Sequence, residues 1–285
     1  MIKVDKLTYT YPGSKHPVLK DLSFEVGKGE IFGFLGPSGA GKSTTQNVLI
    51  GLLRGFEGSV SVNEVNPAKA KPSFFEKIGV AFELPNLYLK LTARENLELF
   101  GSFFSSPTRD PDELLKLVGL EGDRDTRVEA FSKGMKMRLN FIRALLNRPE
   151  MLFLDEPTSG LDPGNARIMK DIILGLRENG VSIFLTTHNM ADADELCSRI
   201  AFMVDGTLPV IDSTENLKLK HGRKLLRVHH QGEKGQEVSD FKLPGLSANQ
   251  AFQDLIKEKE ILTIHTLEAS LEEIFLKVTG QQLRR

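Results

Sequence analysis

Cysteine is almost absent from this 285-residue sequence, in which Cys197 stands alone. That excludes an intramolecular disulfide and a multi-cysteine zinc site, and it suits a reducing compartment such as the cytosol. An excess of charge is absent as well. With 37 Lys and Arg against 38 Asp and Glu the formal charge is −1, so no global positive field exists to hold a nucleic-acid backbone or an anionic membrane. Nucleic acid is not expected as a partner. No apolar run approaches the roughly 18 residues of a spanning helix, and Met1 to Thr10 mix Lys and Asp with alternating apolar residues, unlike a signal peptide. The expectation is a soluble chain without internal repeats or low-complexity segments. What is present is ordinary for a globular protein: 40% hydrophobic and 26% charged residues, enough for one large domain or a medium one with an appendage.

Alternation in Ile2, Val4 and Leu7, and again in Leu22, Phe24 and Val26, predicts two half-buried strands joined across Tyr11-Pro12-Gly13. Ile31 to Leu35 reads as a buried strand, and Thr44 to Leu53 as a helix ending near Gly55. Residues from Thr92 to Arg148 are mostly helical in pattern, with Thr92 and Glu95 spaced as a capping box and Asp110 to Val118 amphipathic. Met151 to Leu154 and Val181 to Leu185 are of strand length with a helix, Asn165 to Arg177, between them. Strands alternating with helices imply a mostly parallel sheet.

A boundary is expected near residue 212. Beyond it lie a Lys-rich stretch, Lys218 to Lys224, and a strand from Leu225 to Val228. A turn at Gly232-Glu233-Lys234-Gly235, a helix at Asn249 to Lys257 and a strand at Ile261 to His265 follow. A last helix starts at a Ser270/Glu273 capping box. Together these predict a small α+β appendage.

Gly36-Pro37-Ser38-Gly39-Ala40-Gly41-Lys42-Ser43 fits G-x-x-x-x-G-K-[ST] between a strand and a helix. In that pattern glycines let backbone N–H groups wrap phosphates, the lysine reaches the terminal phosphates and the hydroxyl ligates Mg²⁺. The nucleotide-binding stretch is therefore read as Gly36 to Thr44. Asp155 and Glu156 close an apolar strand, where open α/β sheets bind ligands. Asp155 suits Mg²⁺, and Glu156 suits the polarisation of an attacking water.

Phe131-Ser132-Lys133-Gly134-Met135, about twenty residues before that strand, resembles the LSGGQ signature of ABC ATPases. Ser159-Gly160-Leu161-Asp162 is similar to the family's D-loop, His188 to its switch histidine and Tyr11 to the aromatic that stacks on adenine. The resemblance covers about residues 1 to 212. It implies a P-loop core of α/β class with an antiparallel β subdomain and a helical subdomain at about 84–148, followed by the appendage at 213–285. It also implies a sandwich of two such subunits around two ATP molecules, with Ser132 and Gly134 serving the partner's nucleotide and the D-loop residue Asp162 among the nucleotide-binding residues.

Three positions depart from the family's pattern. Glu83 stands where a glutamine that touches Mg²⁺ and the reactive water is usual, Lys133 replaces the first signature glycine, and Met135 the signature glutamine. A carboxylate at position 83 is able to ligate Mg²⁺ too, but it adds negative charge near the γ-phosphate and cannot donate a hydrogen bond when ionised. Lys133 is read either as an added phosphate contact or as a solvated lysine.

Leu87-Tyr88, Leu91-Thr92 and Glu95-Asn96-Leu97 resemble exporter subunits. The resemblance implies an ATP- and Mg²⁺-dependent ATPase at the cytoplasmic face of the membrane, working with membrane-spanning permease subunits and a second copy of itself. A soluble ABC ATPase driving a protein-assembly machine is the alternative. Phe74, Phe75, Phe82, Phe100, Phe103 and Phe104 cluster around the helical region. Most are expected in the core, with a few exposed as a socket for a partner helix. Adjacent His229 and His230 would face opposite sides of a strand and cannot chelate one metal together.

Overall fold

The computed structural model describes residues 1–222, 224–232, 235–267 and 269–280, and the chain divides into two compact units, Met1–Ile211 and one beginning at Asp212. The first unit opens with β1 (Ile2–Tyr9) and β2 (Leu19–Val26), which pair antiparallel with Val4 opposite Phe24. β3 (Ile31–Leu35) is buried at every residue and feeds the glycine loop that ends in α1 (Lys42–Leu49). β4 (Glu57–Val62) then returns to pair with β1.

The expected helix after the loop begins two residues earlier than its apolar spacing suggested and closes at Ile50. Gly51 takes φ +78°, and a Cβ there would meet the Pro67 carbonyl at 2.7 Å, so the chain turns away before Leu53.

After α2 (Pro72–Phe75) and β5 (Ile78–Ala81) comes the mainly helical stretch: α3 (Ala93–Gly101), α4 (Pro111–Leu117) and α5 (Lys133–Arg143). The capping box of α3 forms as expected, with Glu95 N–H donating to Thr92 Oγ1 and Thr92 N–H to Glu95 Oε2. The chain re-enters the core as β6 (Met151–Asp155), α6 (Pro163–Glu178), β7 (Ser182–Thr187), α7 (Met190–Leu196), β8 (Arg199–Val204) and β9 (Thr207–Ser213).

The central sheet has the order β5-β6-β7-β3-β8-β9. Its first four pairings are parallel, and β9 folds back on β8 across the two-residue turn Asp205-Gly206, both at positive φ. Strands in such a sheet are covered on both faces and read as continuous apolar runs, as β3, β6 and β7 do. One face meets the antiparallel sheet through Phe24, Phe32, Phe34 and Phe184, with ring centroids 5.0–6.4 Å apart. Register then decides the chemistry: Asp155 lies beside Thr186, and Leu35 beside Thr187. The carboxyl ends of β3, β6 and β7 therefore open on one spot.

The second unit holds α8 (Thr214–His221), β10 (Leu225–Gly232), β11 (Gly235–Lys242), α9 (Gln250–Glu258), β12 (Ile261–Leu267) and α10 (Leu271–Thr279). Its sheet runs β11-β10-β12, with Leu226, Val228 and Phe241 packed against Phe252 and Leu255. β10 and β11 pair antiparallel up to Gly232 opposite Gly235, and the expected turn residues Glu233 and Lys234 lie outside the described residues. His230 is buried and bonds Ser239 Oγ at 3.0 Å, whereas the His229 ring stands edge-on to His265. Within the Lys-rich stretch Lys220 donates to Asp212 at 2.6 Å and, with Asn216, holds that carboxyl down to about 2. Arg223 lies outside the described residues.

Candidate functional site

α1 starts without a side-chain cap and without an acidic residue in its first turn. Its N-terminal amides and the positive end of its dipole are left for an anion. The loop that delivers it is tightly set: a Cβ on Gly36 would meet the Met203 carbonyl at 2.1 Å, and Gly41 takes φ +113° against Met203 and Leu19. Only glycine fits either position. Lys42 folds back so that Nζ donates to the carbonyls of Gly36 (2.7 Å) and Pro37 (3.1 Å). Burial pushes its pKa below the ordinary lysine value, opposed by the carboxylates of Glu156, Asp155 and Glu83.

Asp155 and Glu156 face the loop from the end of β6. Ser43 Oγ donates to Asp155 Oδ2 at 3.2 Å, and Thr186 Oγ1 donates to the other Asp155 oxygen. Glu156 has a left-handed backbone, φ +50°, a conformation that costs a non-glycine residue about 1–2 kcal/mol. The turn aims its carboxylate back at β7, where it accepts from Thr187 Oγ1 (2.9 Å) and the His188 N–H (2.9 Å). His188 Nδ1 also lies 2.7 Å from Glu156 Oε1. Beyond it, Asp192 on α7 joins Thr158 Oγ1 (2.6 Å), Asn189 Nδ2 (2.9 Å) and Lys170 Nζ (3.2 Å).

A cavity of about 250 Å³ results, lined by Val18, Ser38, Gly39, Gly41, Lys42, Ser43, Thr44, Glu83, Asp155, Glu156 and His188. Glu83 lines it with no hydrogen-bond partner among the described residues. Gly36, Pro37 and Ala40 shape the loop from behind, and Tyr11 stands to one side, its hydroxyl 3.1 Å from Thr44 Oγ1 and its ring edge-on to Tyr9. A hydroxyl facing a carboxylate, both hard oxygen donors, fits a magnesium ion that takes its other ligands from phosphates and water. The buried, partly desolvated Lys42 fits a polyanion.

Ser132, Gly134 and Asp162 are not in this cavity. Ser132 caps α5 by accepting from Met135 N–H at 3.2 Å, and Asp162 caps α6 by accepting from Asn165 N–H at 3.0 Å. Lys133 is exposed, yet its side chain lies across Gly160, where a Cβ would meet Cε and Nζ at 2.9 Å. It is therefore a lysine resting on the neighbouring loop rather than one extended into solvent.

Sequence reasoning missed Val18, Thr186 and Thr187. The two threonines end an apolar strand immediately before His188, the one local signal that was available.

A second depression, about 700 Å³, runs between the sheet and the helical stretch. It corrects the expectation that most of the phenylalanines lie in the core: Phe74 alone is buried, while Phe75, Phe82, Phe100, Phe103 and Phe104 line this groove, and the few expected to be exposed are Phe75 and Phe103, the latter 64% exposed. Clustering along the chain reveals apolar content but not whether another element covers it.

Comparison with known proteins agrees with this geometry. Residues 19–159 match the family described as "ABC transporter", and residues 224–268 match "Fluoroquinolone efflux ABC transporter C-terminal domain". The chain is 52% identical over 284 residues to the "Fluoroquinolones export ATP-binding protein" of Mycobacterium tuberculosis, covering 99% of this chain and 94% of that one. It is 33% identical over 301 residues to the "Bacitracin transport ATP-binding protein" of Bacillus licheniformis, with 98% and 97% covered. Among solved structures, the ATP-binding subunit of an ABC transporter is similar with TM-score 0.70 and 28% identity, covering 77% of this chain and 92% of that one. A dimeric ATP-binding cassette with ADP and Pi, in a post-hydrolysis state, is similar with TM-score 0.69 and 27% identity, covering 75% and 99%.

Proposed function

The chain belongs to the ABC transporter family and is an ATP-binding, ATP-hydrolysing subunit; from that premise we propose that it powers export at the cytoplasmic face of a membrane, through a separate membrane-spanning partner. Among the described residues no helix is long and apolar enough to cross a membrane, so the substrate path is assigned to that partner. The observation that carries the reading is the convergence of Lys42, Ser43, Asp155, Glu156 and His188 on one cavity.

Each residue has a task that follows from its surroundings. Lys42 and the α1 amides neutralise phosphate charge. Ser43 and Asp155 would hold magnesium, which when bound supplies further charge neutralisation on the phosphates. Glu156, fixed by Thr187 and the His188 amide, accepts the proton of the attacking water, and His188 stands at its open side. Ser132, Gly134 and Asp162, outside this cavity and at helix starts, serve the nucleotide of a second copy, giving a homodimeric sandwich with two shared sites. Tyr11 packs against the adenine, and Glu83 lies on the metal side of the cavity.

The apolar groove is the seat of the membrane partner. Exposed Leu52, Phe75, Tyr88 and Phe103 on its rim are what a monomer in water would otherwise avoid. The relative named for fluoroquinolone export, together with the match of residues 224–268, supports an organic antibiotic of that kind as cargo.

The test is Glu156→Gln. It should keep ATP binding, slow hydrolysis by about 10²–10⁴, and accumulate an ATP-bound dimer measurable by light scattering. Full hydrolysis by the variant overturns the assignment.

A further inference from the structure

Of the residues lining the apolar groove, Arg143 alone is charged. It ends α5, where a cation meets the negative pole of the helix. Its Nη1 donates to the Asn86 carbonyl at 2.6 Å, and its guanidinium carbon lies 4.6 Å from the centre of the Phe100 ring. Among the described residues no carboxylate pairs with it. A guanidinium carries five N–H donors in a planar fork, so one carbonyl leaves most of them without a protein acceptor among the described residues. Loss of hydration already pushes this group's pKa down to about 10.

A purely apolar segment closing over the groove would strip the remaining water and leave a cation without a counter-charge, which is strongly unfavourable. A carboxylate restores the balance with two parallel hydrogen bonds that water-exposed pairs seldom keep. A second atom also asks for a polar partner. Asn147 spends its amide hydrogens on the carbonyls of Phe75, Glu76 and Ile78, while its Oδ1, buried in the groove wall, has no partner among the described residues.

We propose that the segment of the membrane partner seated in this groove is a short amphipathic helix carrying one Asp or Glu among its apolar residues, and that this carboxylate pairs bidentately with Arg143. The proposal rests on the reading of the groove as the partner's seat. It goes further in naming the chemistry that selects the partner: apolar area supplies attraction, and the single ion pair fixes register and rejects segments with a Lys, an Arg or no charge at that place. If Arg143 served only to tie the Asn86 loop to α5, the charge of the partner segment would be irrelevant.

The experiment uses the full chain co-expressed with the membrane protein that co-purifies with it. A photo-crosslinking phenylalanine analogue at Phe103, followed by mass spectrometry, maps the seated segment. An Asp or Glu within one helical turn of the crosslink is expected. Arg143→Glu should then cut recovery of the complex at least about tenfold, and exchanging the mapped carboxylate for Lys should restore it to within about threefold. Should Arg143→Glu fail to fold, the partner's carboxylate-to-Lys variant alone, which leaves this chain untouched, should lose recovery equally against wild type. A crosslink to a membrane protein whose segment lacks an acid, or charge reversals without effect, overturns the pairing and leaves the seat intact. A crosslink to no membrane protein overturns both.

Discussion

The nucleotide cavity and the apolar groove belong to the same unit but are built from opposite materials. In the cavity, Lys42, Ser43, Asp155, Glu156 and His188 are hydrogen-bonded to one another, to the loop or to the neighbouring strand within this chain. Such preorganisation lets charge be stabilised without reorganising the site during reaction. In the groove the walls are mainly apolar side chains, with two asparagines and one guanidinium, and Leu52, Phe75, Tyr88 and Phe103 stay exposed. One region joins its polar groups within its own chain, the other leaves apolar side chains exposed, and on the function proposed above that difference separates chemistry from coupling.

The comparison breaks first at Lys42. Lys42→Ala removes the one cation inside the cavity and should weaken ATP binding about 100-fold, the scale of two lost charge-assisted hydrogen bonds of about 1.5–3 kcal/mol each, discounted for water taking part of their place. Isothermal titration measures it, and an unchanged affinity would show that the loop amides alone bind the phosphates. The groove calls for the opposite kind of change. Leu52→Asp puts a carboxylate on an exposed rim position and should reduce co-purification of the membrane partner about tenfold, while the rise in melting temperature with ATP persists. Loss of both would mean that the two regions do not act separately.

These two regions also differ in how far the sequence reveals them. The cavity was legible because its parts are contiguous: a strand runs directly into Gly36 to Ser43, and another into Asp155-Glu156, so local motifs carry the geometry. Thr186 and Thr187 escaped notice because their value arises from register, the pairing of β6 with β7, which the order of residues alone does not specify. The groove is foreshadowed only as a cluster of phenylalanines, a few of them expected to be exposed as a socket, without which ones or what else lines it. Leu52, Tyr88, Phe103 and Arg143 come from separate stretches of chain, and no local pattern states that nothing covers them. The start of α1 was misplaced for a related reason, since Lys42 and Ser43 are polar and leave no apolar periodicity.

Thr187→Val sharpens the account of the cavity at intermediate size. The substitution nearly preserves shape and removes both hydrogen bonds of the hydroxyl, the one it donates to Glu156 and the one it accepts from the Asn189 N–H, each 2.9 Å. Glu156 keeps the His188 amide, so it should be loosened rather than lost, and kcat should fall about tenfold with KM for ATP little changed, as expected for one hydrogen bond to a charged group. A fall in ATP affinity instead would place Thr187 in binding.

Glu83→Gln is expected to give the smallest effect, and it bears on the one acid of the cavity wall that is not held by hydrogen bonds. Glu83 lines the cavity with Asp155 and Glu156, and its charge supports the ammonium of Lys42. Three carboxylates near one phosphate seat repel the nucleotide, yet the same charge attracts a divalent cation, so the net effect of Glu83 depends on metal concentration. Removing the charge while keeping the shape should make ATP binding equal or tighter at low Mg²⁺ and flatten the dependence of hydrolysis on Mg²⁺. The rate at saturating metal should fall only about two- to fivefold, because positioning rather than proton transfer is disturbed. Titrating Mg²⁺ at fixed ATP for both proteins measures it. Superimposable curves would reduce Glu83 to part of the cavity wall.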